Sequence, residues 1–125
     1  MEKKFVTLIS CMDGRIQLVS NKYMQRKYNA LYVDTITEAG PCKIITDNKI
    51  SNVIENIKVR VDISINNHYS KVIGVVGHFD CAAIQDSDSD QKQFVRNAVL
   101  EVKCWYPKMD VLALWVNDNL EVEEL

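Results

Sequence analysis

Cys11, Asp13, His78 and Cys81 are residues of this 125-residue chain whose types could together hold a metal ion. Zinc takes thiolate, imidazole and carboxylate ligands in a tetrahedron, and two cysteines with one histidine leave a fourth position for water. Two residues separate His78 from Cys81, so one tight loop can turn both side chains toward the same ion. Cys11 would add the third ligand, and the fourth position goes either to Asp13 or to water. Arg15 follows Asp13 closely enough for a charge-assisted pair that would hold the carboxylate. Each residue taken alone has a plainer reading. Cysteine is among the most buried residue types, a His-x-x-Cys spacing recurs by chance, and Arg15 could be an exposed arginine at a helix start.

The elements that must bring these residues together follow from two alternating periods. Lys4 to Ser10 (KFVTLIS) is a short β-branched, apolar run and predicts a buried strand. From Gly14, the spacing of Ile16, Val19 and Tyr23 predicts an amphipathic helix to about Tyr28. Ala30 to Ile36 is a second strand, closed by Glu38-Ala39-Gly40-Pro41. Asp47 or Asn48 can cap a second helix carrying the stripe Ile50, Val53, Ile54, Ile57, Val61 and Ile65. Lys71 to Gly77 is a third strand. Ser89 or Asp90 caps a third helix with Phe94, Val95, Ala98, Val99, Val102 and Trp105 inward, and Pro107 stops it. Val111 to Val116 is a fourth strand, and Leu120 to Leu125 offers a short edge piece.

Strand and helix thus alternate through one domain, residues 1–125. The expected architecture is three-layer α/β, a mainly parallel four-stranded sheet of order 2-1-3-4 with helices on both faces. In such a sheet ligands sit beyond the carboxyl ends of the strands, where the winding reverses, between strands one and three. The segments just past those strands are Ser10-Cys11-Met12-Asp13-Gly14-Arg15 and Gly77-His78-Phe79-Asp80-Cys81. Distant in sequence, they meet in space.

Composition narrows the function classes. With 15 Lys+Arg against 17 Asp+Glu the formal net charge is −2, which gives no field for nucleic acid or an anionic membrane surface. No apolar run reaches the roughly 18 to 20 residues that span a bilayer. Met1-Glu2-Lys3-Lys4-Phe5 lacks a signal segment, and the expected compartment is the cytoplasm. Cys11, Cys42, Cys81 and Cys104 contain no CxxC pair and are expected as free thiols. Cys42 lies near the same sheet end, Cys104 belongs to helix packing, and His68 reads as a surface helix end. Asp86-Ser87-Asp88-Ser89-Asp90 reads as a solvated loop. A phosphatase-type cysteine loop is disfavoured, because the nest from Cys11 to Arg15 is too short and contains the negative Asp13.

Cys11-Met12-Asp13-Gly14-Arg15 resembles the C-x-D-x-R motif of the β-class carbonic anhydrases, and Gly77-His78-Phe79-Asp80-Cys81 resembles their G-H-x-x-C motif. Both fall after the expected strands, in the expected order. The resemblance extends from about Phe5 to Val116, and Leu114-Trp115-Val116-Asn117-Asp118 is similar to the last core strand of that family. It implies Zn2+ held by Cys11, His78 and Cys81. It implies catalytic roles for Asp13 and Arg15: Asp13 either pairs with Arg15, or swings onto the metal as a fourth ligand and closes the site. Zinc lowers the pKa of its water to about 7, and the hydroxide attacks carbon dioxide to give bicarbonate. Gly40 resembles a glycine whose backbone approaches the substrate pocket. Asp80 matches a position that is often polar, with a role in local loop structure. A homodimer or higher homo-oligomer is the implied assembly, because the family builds its clefts between subunits.

Departures from the family pattern are also legible. Ten residues precede Cys11, where the family commonly has helices that embrace a partner subunit, so the family's glutamine, phenylalanine and tyrosine contributors have no counterpart assigned here. Thr37-Glu38-Ala39-Gly40-Pro41 lacks the family's arginine and asparagine, and Glu38 would bring negative charge to the site if it turned inward. Ala82 and Ala83 follow Cys81, where glycine commonly comes first. The expected activity is that of a carbonate dehydratase-like zinc lyase. The alternatives are a non-catalytic zinc domain closed by Cys11, His78, Cys81 and Asp13, or a zinc hydrolase of carbonyl sulfide or carbon disulfide.

Overall fold

The computed structural model describes residues 4–125, so the reading of Met1 to Lys3 lies outside the described residues. Side-chain alternation along the strands sorts the apolar residues into two cores. Val6 and Leu8 of β1 (Phe5–Cys11), Val72 and Val76 of β3 (Val72–His78), and Leu114 and Val116 of β4 (Asp110–Val116) face one way. Ile9, Ile73, Val75 and Trp115 face the other. Both faces are therefore buried, which is the condition for near-continuous apolar strands in a parallel sheet.

One face is covered by α1 (Gln17–Tyr28), which inserts Met24 beside Leu8 and Gly74. The opposite face is covered by α2 (Pro41–Asp47), α3 (Ser51–His68) and α4 (Asp88–Trp105), through Cys42, Ile45, Ile57, Val61, Val95, Ala98 and Val102. Each fully buried Ile or Val of these stripes contributes roughly 1.5–3 kcal/mol of transfer free energy. Ser87 starts α4, with its Oγ accepting from the Asp90 N–H at 3.1 Å, and Asp88 and Asp90 stand in the positive first turn.

The sheet order is β2-β1-β3-β4-β5, with β2 (Tyr32–Glu38) at one edge. Neighbours are parallel up to β4, and the short β5 (Val122–Glu124) returns antiparallel to it. The expected order 2-1-3-4, helices on both faces and C-terminal edge strand are all present. Pairing lengths position the site. β1 pairs with β2 over its full length, and β3 with β4 likewise, but β1 and β3 pair only from Thr7–Ile73 to Ile9–Val75. Beyond Ile9 and Val75 the ladder between β1 and β3 ends, and Cys11 and His78 close their strands at that point. The crevice where the winding reverses is where open α/β sheets take ligands.

Several local expectations are corrected. Cys11 and His78 are the last residues of their strands rather than loop residues. The helix after β1 begins at Gln17, not Gly14. The second expected helix is two: α2, and then α3, whose N-cap is Ile50 with no side-chain cap from Asp47 or Asn48. Asp88 to Asp90 belong to the first turn of α4, whose cap is Ser87 instead of Ser89 or Asp90. Cys104 is exposed on α4 and does not pack.

Candidate metal centre

Cys11, His78 and Cys81 are brought together, each buried, with their ligand atoms within 4.8 Å of one another. The two sulfurs are 4.0 Å apart. His78 Nδ1 lies 2.7 Å from the Phe79 carbonyl oxygen, which can only accept, so Nδ1 carries a proton in that bond. In the neutral ring this leaves a lone pair on Nε2. Nε2 is buried and has no hydrogen-bond partner among the described residues. A buried acceptor without a partner costs free energy unless something fills the position. An unpaired imidazole nitrogen beside two thiols is a donor set that a divalent ion such as zinc accepts, and these residues fit a metal ion.

Burial alone would raise the Cys11 thiol. The His78 ring and the backbone amides of Gly40 and Asp13 outweigh it and bring the thiol down to about 7. Burial also opposes a charged His78 ring, yet the Cys11 sulfur, the Phe79 carbonyl and the Asp13 carboxylate together raise its pKa. Cys81 is pushed up, chiefly by burial, against the backbone amides of Ala83 and Ile84.

Asp13 stands outside the three-residue cluster. Its carboxylate accepts from Arg15 Nη2 at 2.7 Å, from Arg15 Nε at 3.1 and 3.2 Å, and from the Arg15 backbone N–H at 2.9 Å. The guanidinium holds that carboxyl down at about 2. Asp13 Oδ2 is 4.0 Å from His78 Nδ1, so the pair flanks the cluster on the ring's far nitrogen. Glu38 does not confront the site unpaired: its carboxylate accepts from Arg60 Nη2 of α3 at 2.5 Å.

Sequence reasoning missed α2 and two glutamines. Gly40 adopts a left-handed backbone (φ +66°), which starts α2 with Pro41 in its first turn and seats Cys42 beside the cluster. Cys42 is fully buried, pushed up to about 12 by that burial, and its Sγ approaches the Val76 carbonyl at 3.8 Å. It lines the same small enclosed space as Cys11, His78 and Cys81. Gln17 Nε2 donates to the Cys11 and Asp13 carbonyls, both at 2.8 Å, and fixes the first motif. Buried Gln91 Nε2 donates to the carbonyls of Ile84 at 3.2 Å and Asp86 at 3.0 Å, and fixes the segment after Cys81. Pro41 was the available signal for α2, whereas no spacing marks the glutamines.

Residues 1–125 match the family model described as "Putative carbonic anhydrase". The chain belongs to the carbonic anhydrase family. Its fold is that of the β-class enzymes. A carbonic anhydrase from Streptococcus mutans superposes with a TM-score of 0.67 at 19% identity, covering 98% of this chain and 82% of that one. One of two tetrameric β-carbonic anhydrases from Sordaria macrospora gives a TM-score of 0.58 at 13% identity, covering 100% and 82%. The β-carbonic anhydrase CafA of Aspergillus fumigatus gives 0.56 at 13% identity, covering 99% and 76%. No curated protein matches the sequence. At these identities the carbonic anhydrase structures speak for the fold, and the case for chemistry rests on this chain's own residues.

Proposed function

We propose that this carbonic anhydrase family member is a zinc enzyme that hydrates carbon dioxide to bicarbonate, with Cys11, His78 and Cys81 holding the metal. The observation that carries the reading is a buried His78 whose Nε2 has no hydrogen-bond partner among the described residues and whose ring offers a ligand atom within 4.8 Å of two thiols. When bound there, zinc supplies the Lewis acidity that makes water a nucleophile near neutral pH. Arg15 holds the Asp13 carboxylate ionised beside the cluster, and Asp13 acts as an acceptor that orients the attacking water. Arg15 neutralises Asp13 and keeps it from the metal position. Gly40 offers its backbone amide at the Cys11 side of the pocket. Residues 1–125 act as one domain.

We place the activity in the cytoplasm and in a homodimer or larger homo-oligomer. Among the described residues no helix is long and apolar enough to cross a membrane. The tetrameric Sordaria relatives, together with the exposed Met12 within the first motif and the exposed Leu18 just after it, support self-association.

The test is stopped-flow carbon dioxide hydration by protein loaded with one equivalent of zinc, against Cys81→Ser. Zinc-dependent turnover well above that variant is expected. A folded, zinc-replete protein without turnover between pH 7 and about 9, the range in which a bound water ionises, would turn the reading to a closed, non-catalytic site with Asp13 as fourth ligand. Turnover of carbonyl sulfide or carbon disulfide but not of carbon dioxide would keep the metal site and replace the substrate.

A further inference from the structure

Among the described residues Arg15 is the one side chain that hydrogen-bonds the Asp13 carboxylate, and it is itself held from a second side. Its guanidinium lies over the Phe79 ring, 4.8 Å from the centroid. Nη2 donates to the Asp80 carbonyl oxygen at 3.0 Å, and Nη1 to Asp80 Oδ2 at 3.3 Å. Asp80 has a left-handed backbone (φ +49°), a conformation that aspartate tolerates better than most residues, and in it both its carbonyl and its carboxylate reach Arg15. Arg15 is otherwise a long, substantially exposed side chain with many rotamers.

We propose that Phe79 and Asp80 are positioning residues that clamp Arg15, and that the clamp keeps Asp13 off the metal position. Both lie between His78 and Cys81. The loop that supplies two of the three proposed ligands therefore also fixes the carboxylate that competes for the fourth place. The inference rests on the metal reading above. With the clamp intact, all four contacts from Arg15 to Asp13 persist and the fourth position is open to an exogenous ligand. With it loosened, Arg15 leaves, and Asp13, only two residues from Cys11, swings onto the metal.

The experiment uses the cobalt(II)-loaded protein, whose visible bands report the coordination shell, titrated with azide. The variants are Phe79→Leu, which keeps apolar bulk without a ring, Asp80→Asn, and the two combined. The combined variant is expected to lose azide affinity by about tenfold, the scale of coupling in a shared contact network. Adding Asp13→Asn, which removes the competing carboxylate, should restore it. Unchanged azide affinity overturns the clamp, and so does a loss that Asp13→Asn fails to restore, because that loss is structural. Failure of the wild-type protein to take up cobalt overturns the metal reading itself, a result distinct from either. Exchange of the Arg15 Nε–H, followed by NMR in metal-free protein, provides a second reading that needs no metal. Faster exchange in the variants supports the clamp, and unchanged exchange overturns it.

Discussion

Cys11 Sγ and Cys81 Sγ stand 4.0 Å apart although 70 positions separate them in the chain. The proximity comes from topology. β1 and β3 are neighbours that stop pairing before their carboxyl ends, and Cys11 closes one strand while Cys81 turns back three residues after the other. Ligands carried on strand ends and short braced loops are held more rigidly than ligands on long loops. If these two thiols and His78 Nε2 take one ion, removal of any one ligand should be severe. We expect Cys81→Ser, Cys11→Ser and His78→Ala each to weaken zinc binding by about 100-fold or more, beyond the losses typical of residues that merely support ligands. Competition with a chromophoric chelator measures this directly. Cys104→Ser, on the exposed face of α4, should leave the affinity unchanged.

Zinc affinity should rise with pH. The ligands must be deprotonated to bind, so protons compete with the metal. Cys11 sits at about 7, while Cys81 is raised above the ordinary thiol value and His78 above the ordinary imidazole value. Near pH 8 most Cys11 is already thiolate and Cys81 still holds its proton, so binding there should release at least the Cys81 proton. Below pH 7, Cys11 and His78 also carry protons, more are released, and affinity falls more steeply. Calorimetry in buffers of different ionisation enthalpy counts these protons. An affinity that is flat from pH 6 to about 9 would be incompatible with thiolate ligation.

Gly40 should tolerate no side chain. Its φ of +66° disfavours any Cβ, and a Cβ there would lie 2.8 Å from Ile84 Cγ1 and 3.1 Å from Ala83 Cβ. We expect Gly40→Ala to cost about 2 kcal/mol or more, combining left-handed strain with overpacking. It should also weaken metal retention, because Ile84 follows Cys81 closely and the Gly40 amide faces the Cys11 sulfur. Gly77→Ala is the comparison. Its Cβ would come within 2.5 Å of Val95 Cγ2, on the core side of α4. It should therefore destabilise the fold, with a smaller effect on metal affinity. Chemical denaturation and chelator competition on both variants separate the two effects.

The contrast between these two glycines bears on what the sequence could reveal. The order of strands and helices was readable because apolar runs and helical stripes are long. Val61, Val95 and Val102 lie on the faces that their spacing indicates. The approach of Cys11 to His78 and Cys81 was readable because a doubly wound sheet has one place where its winding reverses. The helix α2 was not, since seven residues are too few for a periodic signal and its start depends on a left-handed glycine. Glu38 could be assigned a charge but not a direction. Its partner Arg60 sits 22 positions away on a helix whose rotation only packing determines. The same holds for Gln17 and Gln91. Their amides brace backbone carbonyls, and nothing in a glutamine's spacing distinguishes that role from exposure.

The Asp13–Arg15 pair should leave its mark on acid stability. Arg15 lowers the folded-state pKa of Asp13 to about 2 from an ordinary value of 3.8. A depressed carboxyl stabilises the fold above its unfolded pKa, and that stability is lost as pH falls through the folded value. The contribution is thus fully present above pH 4 and vanishes between about 4 and 2. Arg15 is substantially exposed, so solvent screens the pair and the effect is modest. In metal-free protein, Asp13→Asn should therefore be less stable than wild type at pH 7, with the difference closing as pH drops below 4. Denaturant midpoints from pH 7 down to about 2.5 test the sign. A difference that persists undiminished at the acid end would mean that Asp13 stabilises the loop through neutral hydrogen bonds, not through its charge.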